Sequence, residues 1–167
     1  MLGSELPALP LSPTQPKCYK LSMATIEERI NDYRENLRAC GPADEQLNWL
    51  VDRSKRSPGL TESQRRDQFL VPGCLSKLWL IKENKEGLCV FHADAEAAIV
   101  RALALLYAEI YSGARPQEIL DSARPLAEQL DIQTFISPTR RNVLLRMHEQ
   151  IFTYALHALG EAGNQAG

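Results

Sequence analysis

The chain has no apolar run approaching the ~20 residues that cross a bilayer as a helix, so it offers no candidate helical span. It also lacks a charge imbalance. The formal net charge is -2 at pH 7, and nothing in bulk charge draws it to nucleic acid or an anionic membrane. None of its four cysteines, Cys18, Cys40, Cys74 and Cys89, stands in a C-x-x-C pair. That spacing is the usual mark of a zinc site or a redox dithiol. No secretory signal precedes the cysteines, so free thiols are expected rather than a disulfide framework. Internal repeats are absent as well.

What is present fits one domain with its own core, a size that 167 residues readily supply. Residues 1–22 read as a disordered, proline-punctuated tail, with Pro7, Pro10, Pro13 and Pro16 and no periodicity. This stretch lacks the Arg-rich, acid-poor character of an organelle transit peptide. The domain is expected over residues 23–160, followed by a flexible C-terminus at 161–167.

The local signals follow in order. Thr25-Ile26-Glu27-Glu28 is a capping box, and Ile26, Ile30, Tyr33 and Leu37 follow at helical spacing. Cys40-Gly41-Pro42 ends this helix, and a second is expected over 43–55. Residues 57–69 form a charged connector without a period. A strand is expected over 75–82 and its partner over 88–92, joined by the polar turn Glu83-Asn84-Lys85-Glu86-Gly87. A short third strand is expected within 67–72. Asp94 is read as the cap of the next helix, with Glu96 in its first turn. That helix carries Ile99, Leu103, Leu106 and Ile110 on one stripe, with Val100, Leu105 and Tyr107 elsewhere. A helix apolar on several sides is buried, so it is expected to be central. Pro116 and Pro125 open two short helices, and Ser137-Pro138 opens a long one running to Gly160.

The fold expected is therefore α+β, a small antiparallel sheet of about three strands packed against helices.

The most informative four residues are Val71-Pro72-Gly73-Cys74. Pro then Gly at the centre is the signature of a type II turn, which puts Cys74 at the turn exit, where another protein can reach its sulfur. Nucleophilic thiol chemistry needs access and nearby positive charge; the turn supplies the first and the rest of the fold must supply the second. Read locally, an inert cysteine after a tight turn is the better fit. Cys89, in mid-strand, reads as a small core residue, and its C-x-x-H spacing to His92 is a half-site without a second pair. Trp79 reads as core. Arg53, Lys55, Arg56, Arg65 and Arg66 form either a basic rim that steers an acidic partner or a solvated loop.

Three motifs resemble the SufE/CsdE family of sulfur-acceptor proteins. Gly73-Cys74-Leu75-Ser76-Lys77-Leu78-Trp79 resembles the family's G-C-x-S-x-V-W. The segment Asp94-Ala95-Glu96-Ala97-Ala98-Ile99-Val100-Arg101-Ala102-Leu103 is similar to D-S-D-A-A-I-V-K-G-L. Ser137-Pro138-Thr139-Arg140 is similar to the start of L-T-P-S-R-S-Q-G-L. Ala102 replaces the family's glycine in the second motif, and Arg141-Asn142-Val143 replaces S-Q-G in the third. The resemblance implies that Cys74 accepts persulfide sulfur from a SufS- or CsdA-type cysteine desulfurase, stimulates that enzyme and delivers sulfur to an iron–sulfur scaffold complex. It implies no cofactor of the chain's own, because the pyridoxal phosphate belongs to the partner. It makes Arg140, in the first turn of the last helix, a candidate stabiliser of thiolate or persulfide. Cytoplasm is the expected location, ahead of plastid or mitochondrion. The competing classes are a thiol redox or sensor protein and a non-catalytic binding module on the same fold.

Overall fold

In the computed structural model, residues 24–134 and 136–165 are described; the expected tail at 1–22 lies outside them. Helix α1 (Ile26–Cys40) begins at the expected capping box. Thr25 Oγ1 accepts from the Glu28 N–H, and the Glu28 carboxylate accepts from the Thr25 N–H. Its buried residues are the four of the apolar stripe, Ile26, Ile30, Tyr33 and Leu37. Helix α2 (Ala43–Ser54) follows after Gly41, and the charged connector contains two short 3-10 turns, Glu62–Gln64 and Asp67–Phe69.

The sheet is a single antiparallel hairpin of β1 (Leu78–Lys85) and β2 (Leu88–Ala95), in register from Leu78 opposite Ala95 to Lys85 opposite Leu88. The polar stretch expected as a five-residue turn is mostly strand. Glu86 and Gly87 both take positive φ, 54° and 84°, and a two-residue turn of that kind matches the twist of paired strands. The third strand reduces to one bridge, Leu70 with Trp79, and one bond, Val71 N–H to the Leu78 carbonyl at 2.8 Å. Pro72 has no N–H to continue the pairing. The free edge of β2 is closed by the chain after α3 (Ala98–Tyr111). Cys89 N–H donates to the Ala114 carbonyl, Gly113 N–H donates to the Cys89 carbonyl, and Ser112 Oγ bonds both N–H and C=O of Phe91.

Alternation along the strands sets Leu78, Leu80, Cys89, Phe91, Ala93 and Ala95 on one buried face. Helix α3 is the central helix, buried along most of its length from Ala102 to Tyr111 and packed on β2. Two short helices, α4 (Pro116–Asp121) and α5 (Leu126–Gln129), lead to α6 (Pro138–Gln165). Ser137 Oγ accepts from the Arg140 N–H at 3.4 Å at the start of α6. The helix runs past Gly160, where its end was expected. It buries Met147, Ile151 and Ala155 and reaches the hairpin through Tyr154, edge-on to Phe91, and Gln150, which accepts from Lys82.

Asp94 corrects the sequence reading. It does not cap α3, which starts at Ala98 behind Ala97 with no side-chain cap. Asp94 is the penultimate residue of β2, on the sheet face opposite the core, and is fully buried. Burial pushes its carboxyl up. Four donors outweigh that and hold it below the ordinary carboxylate value: the Leu60 N–H, Arg65, Arg101 and the Ala95 N–H, at 2.7 to 2.9 Å. Arg101 also donates to the carbonyls of Ser54 and Ser57, and Arg65 lies over the Trp79 ring. Gly59 turns with φ +70° so close that an added Cβ would stand 2.7 Å from Asp94 Oδ2. One carboxylate thus joins the end of α2, the connector, β2 and α3.

Asp94→Asn should destabilise the fold by about 3 kcal/mol at pH 7, because two arginines lose a buried counter-charge. The folded carboxyl titrates below the unfolded one, about 3.9. Its contribution is therefore complete above that value and lost as pH falls through the folded one. Urea unfolding should show the gap between the two proteins closing as pH drops below about 4. A gap under about 0.5 kcal/mol at pH 7, the range of an ordinary surface substitution, would mean that the node is dispensable.

Candidate functional site

The loop from Val71 to Leu78 is pinched shut at its base by the Val71–Leu78 bond and steadied by Glu96 N–H donating to the Lys77 carbonyl. At its tip Gly73 takes φ +81°, as the third residue of a type II turn requires. Cys74 follows, three residues further from β1 than the expected strand start at 75 would place it. Its side chain is half-buried and packs against the core, while Leu75 next to it is 93% exposed.

The loop leans on α6. Asn142 Nδ2 donates to the Gly73 carbonyl at 3.0 Å. The Arg146 guanidinium lies against Gly73 so closely that an added Cβ would stand 3.0 Å from Nε and 3.3 Å from Cζ and Nη2. At its other end Arg146 Nη1 donates to Glu149 at 3.0 Å. Burial raises the Cys74 thiol above its ordinary value, and the Arg146 charge opposes that rise. At rest the thiol is therefore held in its protonated form, close to a cation that favours the thiolate.

Arg140 sits where the sequence placed it, in the first turn of α6, and is half-buried. The hydrogen bond and the charge that reach the loop come from Asn142 and Arg146. In the sequence Asn142 enters only as a departure from the family motif and Arg146 not at all, because the motif resemblance ends at Arg140. The available signal is that the two stand four apart and so share a helix face. Val143, at the family's glycine position, is buried in the core.

The other cysteines take different places. Cys89 is buried in the sheet and its thiol is pushed up to about 11 by that burial. Cys40 ends α1 and donates to the Asn36 carbonyl at 3.2 Å. Cys18 lies outside the described residues. Cys89 and His92 point to opposite faces of β2, and His92 bonds Glu83 at 3.0 Å, so the C-x-x-H spacing does not converge. Trp79 is buried, as expected.

Two members of the basic rim, Arg53 and Arg65, are spent inside the fold. Arg53 pairs with Glu109 at 3.0 Å, bonds Tyr33, which itself bonds Glu109, and stacks on Tyr33 and Trp49. Lys55 pairs with Asp52 and Arg65 with Asp94. Arg56 and Arg66 are exposed, with Arg66 Nε donating to the Ser63 carbonyl. Among the described residues no helix is long and apolar enough to cross a membrane.

A sequence profile of the SufE family, described as an Fe-S metabolism associated domain, matches residues 31–155, a span that includes Cys74, Asp94, Arg140 and Arg146. Among solved structures, the chain is similar to a hypothetical protein from Thermus thermophilus determined in solution. The TM-score is 0.64 at 17% identity, over 79% of this chain and 96% of that one. At that identity the likeness is one of fold.

Two outcomes test the geometry. In the free protein at pH 7, iodoacetamide should modify Cys74 several-fold more slowly than free cysteine, with the rate climbing above the ordinary thiol range, and should leave Cys89 untouched until unfolding; peptide mass spectrometry reads both. Reaction of Cys74 at or above the free-cysteine rate would contradict the tucked position. Gly73→Ala should cost roughly 1 to 3 kcal/mol of strain at the positive φ, and displacement of the guanidinium would add to it. Thermal melts measure the loss.

Proposed function

The chain belongs to the SufE family, which is associated with Fe–S metabolism, and on that premise we propose that Cys74 is a persulfide acceptor serving a cysteine desulfurase in the cytoplasm. The Cys74 thiolate attacks the outer sulfur of the desulfurase's cysteine persulfide. A new S–S bond forms at Cys74, the partner's S–S bond breaks, and the electron pair leaves on the partner's cysteine thiolate. This is thiol–disulfide exchange with a persulfide as the electrophile. The proton of the resting Cys74 thiol goes to solvent or to the partner. The chain supplies the acceptor and no cofactor, while the pyridoxal phosphate that frees the sulfur resides in the desulfurase. Removing sulfur regenerates the partner's nucleophile, so the chain stimulates it, and the loaded Cys74 then delivers sulfur to an iron–sulfur scaffold complex. Arg140, at the entry of α6, is proposed as an aid to the anion.

The observation that carries this reading is the cysteine loop itself. It is closed at the base, docked on α6 through Asn142 and Arg146, and turns Leu75 outward beside a sheltered thiol. The exposed Leu75 marks the tip as the part of the loop that another protein can touch. A structural cysteine needs no such apparatus.

Incubation with a desulfurase, its pyridoxal phosphate and free cysteine should add one sulfur mass to Cys74 and raise desulfurase turnover. Cys74→Ser should lose both effects. Absence of adduct and of stimulation would sink the proposal, and stimulation that survives in Cys74→Ser would favour a binding module. Oxidation of Cys74 to a disulfide or sulfenic acid without sulfur gain would favour a redox sensor.

A further inference from the structure

The α6 face beneath the cysteine loop holds a donor without an acceptor. Arg146 Nε is buried and, among the described residues, has no hydrogen-bond partner. A buried N–H left unsatisfied costs roughly 1–3 kcal/mol, more for a charged group, so such a group in a native protein calls for an explanation. The rest of the guanidinium is well placed. Glu149 holds Nη1, which fixes the orientation of the plane. Nε, Cζ and Nη2 all lie against Gly73, the residue immediately before Cys74. Gly73 leaves the room this requires, since any Cβ would press on the guanidinium. The Arg146 charge opposes the burial that raises the Cys74 thiol.

Resting on the acceptor reading above, we propose that Arg146 is the positioning residue for the sulfur anion at Cys74. Its Nε–H and Nη2 edge receives the thiolate before transfer and the terminal sulfur of the persulfide after it. A guanidinium suits this better than an ammonium, because it is planar, delocalised, weakly hydrated and presents two donors on one edge. The persulfide extends the side chain by about 2 Å, one S–S bond length. A two-donor edge can follow that extension, whereas a point charge cannot. Glu149 tempers the cation: it orients the plane and draws off part of the charge. This division of labour explains how a half-buried thiol remains protonated at rest yet has a ready counter-ion when it ionises. Arg140 stands six residues before Arg146 on α6, about 120° around the helix.

The test needs no desulfurase. The rate of Cys74 alkylation by iodoacetamide is followed against pH by peptide mass spectrometry in the full chain. In Arg146→Gln the midpoint should move up by about half a unit to one unit. In Arg146→Lys it should lie between that and the wild type, because charge is kept and the edge is lost. In Glu149→Gln it should move down, since the cation is no longer shared. Cys74 loaded with sulfur from inorganic polysulfide should lose its adduct to cyanide several-fold faster in Arg146→Gln than in the wild type. Superposition of the Arg146→Gln and wild-type profiles would overturn the proposal, as would a shift found in Arg140→Gln and not in Arg146→Gln. If Arg146→Gln fails to fold, the opposite shifts of Arg146→Lys and Glu149→Gln decide the matter, and an unmoved midpoint in both overturns it. These readouts are independent of the partner. A failed shift leaves the acceptor role standing, and a desulfurase that never loads Cys74 leaves the alkylation result standing.

Discussion

The Asp94 carboxylate is the constraint from which the placement of the reactive loop follows. Burying an ion is costly, and the cost is recovered only when every acceptor site finds a donor. Asp94 recovers it by gathering donors from separate elements: the Leu60 N–H and Arg65 from the connector, Arg101 from α3, and its own strand's Ala95 N–H. The connector has little apolar surface of its own, and most of its side chains between Thr61 and Gln68 are exposed. Without that node it would have few reasons to lie where it does. With it, Arg65 reaches over Trp79, Leu70 bridges Trp79, and Val71 closes on Leu78. The loop that carries Cys74 therefore starts and ends at fixed points.

The tip is then governed by competition. Burial against the core favours the neutral thiol, and Arg146 favours the anion. The proposed carrier role needs both tendencies. A permanently exposed thiolate would be open to oxidants, and a fully buried thiol like Cys89 would never reach a partner. Cys74 lies between these extremes, while Leu75 offers the surface that a partner would engage.

Much of this was legible in the sequence, for reasons that differ by element. The capping box at Thr25, the Ile26–Leu37 stripe and the Ser137-Pro138 start were readable because each is a local rule satisfied locally. The central position of α3 was readable from apolar residues on several sides. The Pro72-Gly73 turn was readable because only glycine takes its third position easily. The third strand failed because Pro72 breaks pairing after one bridge. The hairpin turn was drawn too long because polarity at residues 83–85 hid strand whose far face meets water. Asp94 was misread because a strand-end aspartate and a helix cap look alike four residues before a helix; its arginine partners lie 29 residues before it and 7 after it in the chain. Asn142 and Arg146 were missed for the same reason, since their meaning depends on a loop some 70 residues earlier.

Single-turnover transfer tests the proposal that sulfur comes to rest on Cys74. A desulfurase loaded with radiolabelled sulfur, then freed of cysteine, is mixed with the chain. The label should leave the desulfurase and appear on Cys74 at up to one sulfur per chain, with none transferred to Cys74→Ser. Label that stays on the desulfurase, or that transfers equally well to Cys74→Ser, would contradict it.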